Sequence, residues 1–151
     1  MDPDHLKELY QEILLGHSRN PRNDEPLDPC THTATGVNPL CGDKLTVYAN
    51  KTEETVEEVS CHCEGCAICR ASGSMMTQLT SGKSEEEIAA ITEEVKTMLT
   101  ADEEPQADID SKGELAALLG VRKFPARIKC ATLPWHALES ALKGGGEATT
   151  E

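Results

Sequence analysis

Residues 41–82 read CGDKLTVYANKTEETVEEVSCHCEGCAICRASGSMMTQLTSG. Within them Leu45, Val47 and Ala49 alternate with Thr46 and Tyr48, and Val59, Cys61 and Cys63 alternate after an acidic turn. That period of two predicts a pair of strands. Past Cys66 the period changes: Ile68, Ala71, Ser72, Met75, Met76 and Leu79 return at three and four residues and stop at Gly82, which predicts a helix. With a further strand near residues 31–37, the expectation is an α+β fold, a small three-stranded antiparallel sheet packed against five to six helices.

Upstream, Asp2 can cap a first helix with Pro3 at its first position, and Leu6, Leu9, Tyr10, Ile13 and Leu14 recur at helical spacing until Gly16. The stretch from His17 to Asn23 reads as a polar loop, because Pro21 disfavours helix at Asn20. Asn38-Pro39 repeats that turn signal just before Cys41. Downstream, Ser84 with Glu87 and Ser111 with Glu114 are capping-box patterns, each opening a helix, with an exposed acidic linker near Pro105 between them. Pro125 opens one short helix carrying Arg127 and Cys130, and Pro134 opens another, ended by Gly144 to Gly146. Residues 1–143 are therefore expected to form one domain and 144–151 a mobile tail.

A chain of 151 residues can bury its core without disulfide staples. The net charge of −13 and the scarcity of aromatic residues argue against nucleic acid as a partner, since phosphate binding needs positive surface and base stacking needs rings. The charge is uneven. Residues 84–114 hold eleven carboxylates against Lys96 and Lys112, whereas residues 120–130 hold Arg122, Lys123, Arg127 and Lys129 with no acid. The acidic stretch reads as a solvated helix face, a docking surface or an adaptation to salt. No apolar run approaches a membrane span, and the acidic, amphipathic start does not resemble a signal peptide, so a cytoplasmic protein is expected. In that reducing compartment seven cysteines are ligands or reactive thiols rather than disulfides.

Cys41-Gly42-Asp43 sets a thiolate and a carboxylate two positions apart around a glycine, which suits either a metal-ligand pair or a structural turn. Cys66 falls where a strand gives way to a helix, near amides that lower a thiol pKa; the plainer reading is a buried, inert cysteine. Cys130 lies three residues after Arg127 in the one basic segment, so both share a helix face. Cys41, Asp43, Cys66 and Cys130 make a plausible tetrahedral zinc set, one Zn2+ per chain. Its formal charge of about −2 would call for a cation beside it, and Arg127 is the candidate; an ordinary surface arginine is the alternative. The run Cys61-His-Cys-Glu-Gly-Cys-Ala-Ile-Cys69 superficially resembles a ferredoxin ligand run, but its spacing begins C-x-C and the closing Cys-Pro is missing. Cys61 and Cys63 read more simply as small, semi-buried residues, and Cys69, one turn beyond Cys66, as a spare thiol near the metal.

Several separated motifs together resemble the SufU type of the IscU-like, or NifU N-terminal-like, proteins of iron-sulfur cluster biogenesis. They are His-x-x-Asn-Pro-Arg-Asn at 17–23, Asn-Pro-x-Cys-Gly-Asp at 38–43, Glu-Gly-Cys at 64–66, Ser-Met-Met-Thr-Gln at 74–78, and Lys-Phe-Pro-Ala-Arg-Ile-Lys-Cys-Ala-Thr-Leu at 123–133. Two features resemble SufU rather than the scaffold IscU: a long segment before Cys130, and Lys129 where the scaffolds carry a histidine. The resemblance implies a zinc-dependent sulfurtransferase that takes persulfide sulfur from a SufS-type cysteine desulfurase and passes it to downstream Suf cluster-assembly machinery. It implies Cys41 as sulfur acceptor and Asp43, Cys66 and Cys130 as zinc holders; Arg127, the cation expected beside the site from its charge and spacing, is the candidate to assist Cys41. The alternatives are an IscU-like scaffold assembling an iron-sulfur cluster on its own cysteines and a non-catalytic zinc-stabilised interaction module. Cys30, Cys61, Cys63 and Cys69 lie outside the family's ligand pattern.

Overall fold

Helix α1 (Pro3–Arg19) leads into an irregular stretch and then three antiparallel strands, β1 (His32–Asn38), β2 (Asp43–Thr52) and β3 (Thr55–Glu64). The computed structural model describes residues 3–102 and 113–149. Helix α2 (Ala67–Thr80), a two-residue strand β4 (Lys83–Ser84) and helix α3 (Glu85–Thr100) follow. A 3-10 helix (Gly113–Lys123), helix α4 (Pro125–Leu142) and strand β5 (Glu147–Thr149) complete the described chain.

The α+β architecture and the helix complement match the expectation, with five helical segments among the described residues. The sheet does not: among the described residues it has five strands in the order β4-β3-β2-β1-β5 rather than three. Both additions escape a hydrophobic period. Strand β4 is only Lys83–Ser84, and Ser84 also forms the expected capping box with Glu87 at the start of α3. Strand β5 pairs parallel to β1 through Glu147–Thr149, within the segment expected to be a mobile tail. Asp2, the linker near Pro105 and the Ser111 end of the second capping box lie outside the described residues.

Strand alternation buries Leu45, Val47 and Ala49 of β2 and Val56, Val59 and Cys61 of β3 against α2 and α4. Helix α2 is enclosed on most sides, since Gly73, Ser74 and Thr77 are buried beside the predicted Ala71, Ser72, Met75 and Met76. Helix α1 runs past Gly16 through Arg19, so His17 is not in a loop. It is buried, with Nδ1 2.7 Å from Ser74 Oγ and Nε2 2.9 Å from Glu114 Oε2, tying α1 to α2 and the 3-10 helix.

The two short helices expected at Pro125 and Pro134 are one continuous helix, α4, with Pro134 inside it. An interior proline forfeits a helical hydrogen bond and costs about 3 kcal/mol. Burial of Leu133, Trp135, Ala137 and Leu138 around it works against that loss. Trp135 Nε1 donates to Ser72 Oγ at 3.1 Å, and Ser72 Oγ donates to the Ala131 carbonyl at 2.5 Å. These bonds lock α4 against α2 one residue beyond Cys130.

Candidate metal centre

The β1–β2 hairpin pairs Asn38 with Asp43, so the four residues between them form a turn with Cys41 exposed to one side. The Cys41 N–H donates to the Asn38 carbonyl at 3.2 Å, and Gly42 turns the chain at φ +71°, a left-handed conformation that favours glycine. Cys41 is half-buried, whereas Asp43 and Cys130, the latter in the second turn of α4, are buried. Cys66 is the cap residue of α2, at the end of β3.

One ligand atom from each of Cys41, Asp43 and Cys130 lies within 4.8 Å of the other two. Tetrahedral zinc with bonds of about 2.3 Å to sulfur holds its sulfurs about 3.8 Å apart, so this spacing fits such an ion with little movement. Cys66 falls outside that trio by distance, but its backbone N–H donates to Asp43 Oδ1 at 2.8 Å, which sets it beside the carboxylate. Two soft sulfurs and one carboxylate are thus collected from a turn, a strand end and a helix, with the helix cap Cys66 next to the carboxylate.

Asp43 owes its position to Gly65. A Cβ at Gly65 would run into Asp43 Oδ1 and stand 3.1 Å from its Cα, so only glycine lets the β3–α2 connection pass over the carboxylate. The other oxygen, Oδ2, accepts from Asn38 Nδ2 at 3.3 Å, and the same amide donates to Cys130 Sγ at 3.3 Å. Asn38 is fully buried, and its Oδ1 has no hydrogen-bond partner among the described residues. The sequence marked Asn38 only as a turn residue; its role as a support for two ligand candidates appears only when β1 and α4 are brought together.

Among the four candidates, Cys130 has surroundings that resist ionisation. Burial pushes the Cys130 thiol up, reinforced by hydrogen bonds with Asp43, Cys41 and Cys66. Arg127 supplies the nearby positive charge. Its Nη1 lies 3.8 Å from Cys41 Sγ, and its pKa is raised by a hydrogen bond with Cys130 and by the Cys66 and Cys41 sulfurs. Arg122, from the same segment, is engaged elsewhere: it donates from both terminal nitrogens to the Met98 and Ala101 carbonyls at 2.5 Å, closing the C-terminal end of α3.

The other cysteines are not members of the trio. Cys61 is buried on the sheet face, where burial pushes its thiol up. Cys69 lies against Cys63, with their sulfurs 3.0 Å apart; that hydrogen bond, then burial, pushes the Cys69 thiol up, with the Cys63 and Asp43 charges adding to it. Cys30 lies in the loop before β1. Two apolar side chains beside the cluster face outward: Leu40 is 70% exposed next to Cys41, and Phe124 is 61% exposed three residues before Arg127.

Residues 9–131 match the family described as NifU-like N terminal domain. The chain is 39% identical over 137 residues to the zinc-dependent sulfurtransferase SufU of Bacillus subtilis, covering 91% of each chain. It is 38% identical over 144 residues to the iron-sulfur cluster assembly scaffold protein IscU of Streptococcus pyogenes serotype M1, covering 95% of this chain and 88% of that protein. A solved chain named FiSufU, from thermophilic Fervidobacterium islandicum AW-1, superposes with a TM-score of 0.79 at 27% identity, covering 89% of this chain and 97% of that one.

Proposed function

The chain belongs to the NifU-like N-terminal domain family, and from that premise we propose that it is a zinc-dependent sulfurtransferase of iron-sulfur cluster assembly, accepting persulfide sulfur from a SufS-type cysteine desulfurase. The observation that carries this reading is the position of Cys41. Its sulfur belongs to the ligand-like trio, yet it sits on a turn, half-exposed, with a guanidinium nitrogen 3.8 Å away. Asp43 and Cys130 lie behind it, buried.

Cys41, Asp43, Cys66 and Cys130 would hold the zinc, and bound zinc would supply the charge that keeps thiols ionised at neutral pH. The chain's own part is to present and orient. Cys41 attacks the outer sulfur of the desulfurase persulfide; a new S–S bond forms at Cys41 as the old one breaks, and the desulfurase cysteine leaves as thiolate. Arg127 stabilises negative charge on the sulfur at Cys41, so it assists rather than reacts. Exposed Leu40 and Phe124 give the partner apolar footing around the transfer point. A cytoplasmic setting and hand-over to downstream Suf machinery belong to the same reading. No helix among the described residues is long and apolar enough to cross a membrane.

The similarity to the IscU of Streptococcus pyogenes favours a second reading, a scaffold that assembles a cluster on Cys41, Cys66 and Cys130. One experiment separates them. The protein is purified without added metal, its zinc and iron are measured, and the turnover of a SufS-type desulfurase is compared with wild type and Cys41→Ala. One zinc per chain with stimulation lost in the variant supports the sulfurtransferase; bound iron with sulfide, or stimulation indifferent to Cys41, supports the scaffold.

A further inference from the structure

Cys63 and Cys69 bring their sulfurs into contact, and the proposed sulfur transfer uses neither. Their Sγ atoms lie 3.0 Å apart. Cys63 is the penultimate residue of β3 and is half-exposed, whereas Cys69, in the first turn of α2, is fully buried. Cys63 also lines a cleft of about 200 Å³ whose wall includes Pro21, Asp24, Glu64, Arg70 and the buried Cys61; Cys69 does not line it. One sulfur therefore meets solvent and the other waits directly behind it. Beyond these, neither residue belongs to the trio that fits a metal.

We propose that Cys63 and Cys69 form a thiol–disulfide exchange site, which reacts with a low-molecular-weight disulfide entering the cleft and closes into an intramolecular disulfide. A disulfide bond is about 2.05 Å long, so closure asks the sulfurs to approach by about 1 Å. The Cys63 thiolate attacks one sulfur of the small disulfide; that S–S bond breaks, and the first small thiolate leaves and takes up the proton Cys63 lost. Cys69 then attacks Cys63 Sγ, the mixed disulfide breaks, and the second small thiolate leaves with the proton from Cys69. Two protein thiols are oxidised, the small disulfide is reduced to two thiols, and no other co-reactant is consumed. The new bond would span the Gly65-Cys66 connection and so staple the segment that passes over Asp43.

This inference does not depend on the sulfurtransferase reading, and zinc content measured before and after reports on that site separately. The full zinc-loaded chain is incubated without oxygen with bis(2-hydroxyethyl) disulfide, and the cysteines are mapped by mass spectrometry. Cleavage after Glu64 puts Cys63 and Cys69 on different peptides, joined only by a bridge. The expected result is a Cys63–Cys69 bridge, about two small thiols released per chain, and zinc retained. Cys69→Ser should stop at a mixed disulfide on Cys63 with one thiol released. A wild-type chain that retains zinc but forms no such bridge, or forms one through Cys61, Cys66 or Cys30 instead, overturns the proposal, as does a Cys69→Ser chain that still releases two thiols. The wild-type mapping decides the matter even if the variant fails to fold.

Discussion

Asn38 Nδ2 stands 3.3 Å from Cys130 Sγ and 3.3 Å from Asp43 Oδ2, so one buried amide joins two ligand candidates, the first 92 residues away in the chain and the second five. Groups behind metal ligands commonly change affinity by about 10- to 100-fold when removed. Asn38→Ala is expected to weaken zinc binding by about that factor while the chain stays folded. Competition with a chromogenic chelator measures it; wild-type affinity in the variant would show that the amide is only a hairpin residue.

Gly65→Ala tests the cradle around Asp43. The added methyl meets the carboxylate and the Asp43 backbone, so the β3–α2 connection or Asp43 must shift. Overpacking of this kind typically costs about 1–3 kcal/mol. Zinc affinity and melting temperature should both fall. Gly16→Ala is the control: it lies inside α1, its added Cβ meets nothing within 4 Å, and alanine should stabilise the helix by about 0.5–1 kcal/mol.

Phe124→Ser and Leu40→Ser address the partner surface. Both side chains are exposed, so neither change should disturb folding or zinc content. Stimulation of the desulfurase should drop, with a higher concentration of the variant needed for half-maximal effect. Titration curves that superpose on wild type would place the partner elsewhere.

His136 gives a pH signature independent of the metal. Burial, then the Lys96 charge, hold its imidazole below its ordinary value of 6.5, with Glu139 opposing. The folded chain therefore binds that proton more weakly than the unfolded chain. The contribution to stability is complete above about pH 6.5 and is lost as pH falls through the lower folded value. Melting temperatures at pH 7.5 and 5.5 should differ less in His136→Gln than in wild type.

Much of this architecture was legible because its signals are periodic. The alternation over 45–49 and 59–63 and the helical spacing from Ile68 to Leu79 each specify a buried face, and burial follows them. Strands β4 and β5 were not legible, since two or three residues carry no period and a parallel pairing such as β1 with β5 depends on where α4 returns the chain. Pro134 misled for the opposite reason: a local helix breaker was overruled by packing on both sides of it. At the site, Cys41, Asp43 and Cys130 were nameable from motif spacing, and they converge. Asn38 and the Cys63–Cys69 contact were not, because each depends on a distance set by how the sheet meets a helix.

The central claim is that Cys41 takes the sulfur, and the direct measurement is peptide mapping of persulfides after the zinc-loaded chain is incubated anaerobically with a SufS-type desulfurase and cysteine, then trapped by alkylation. The account predicts one added sulfur on Cys41 and none in Cys41→Ala. Added sulfur confined to other cysteines, or undiminished in Cys41→Ala, would contradict it.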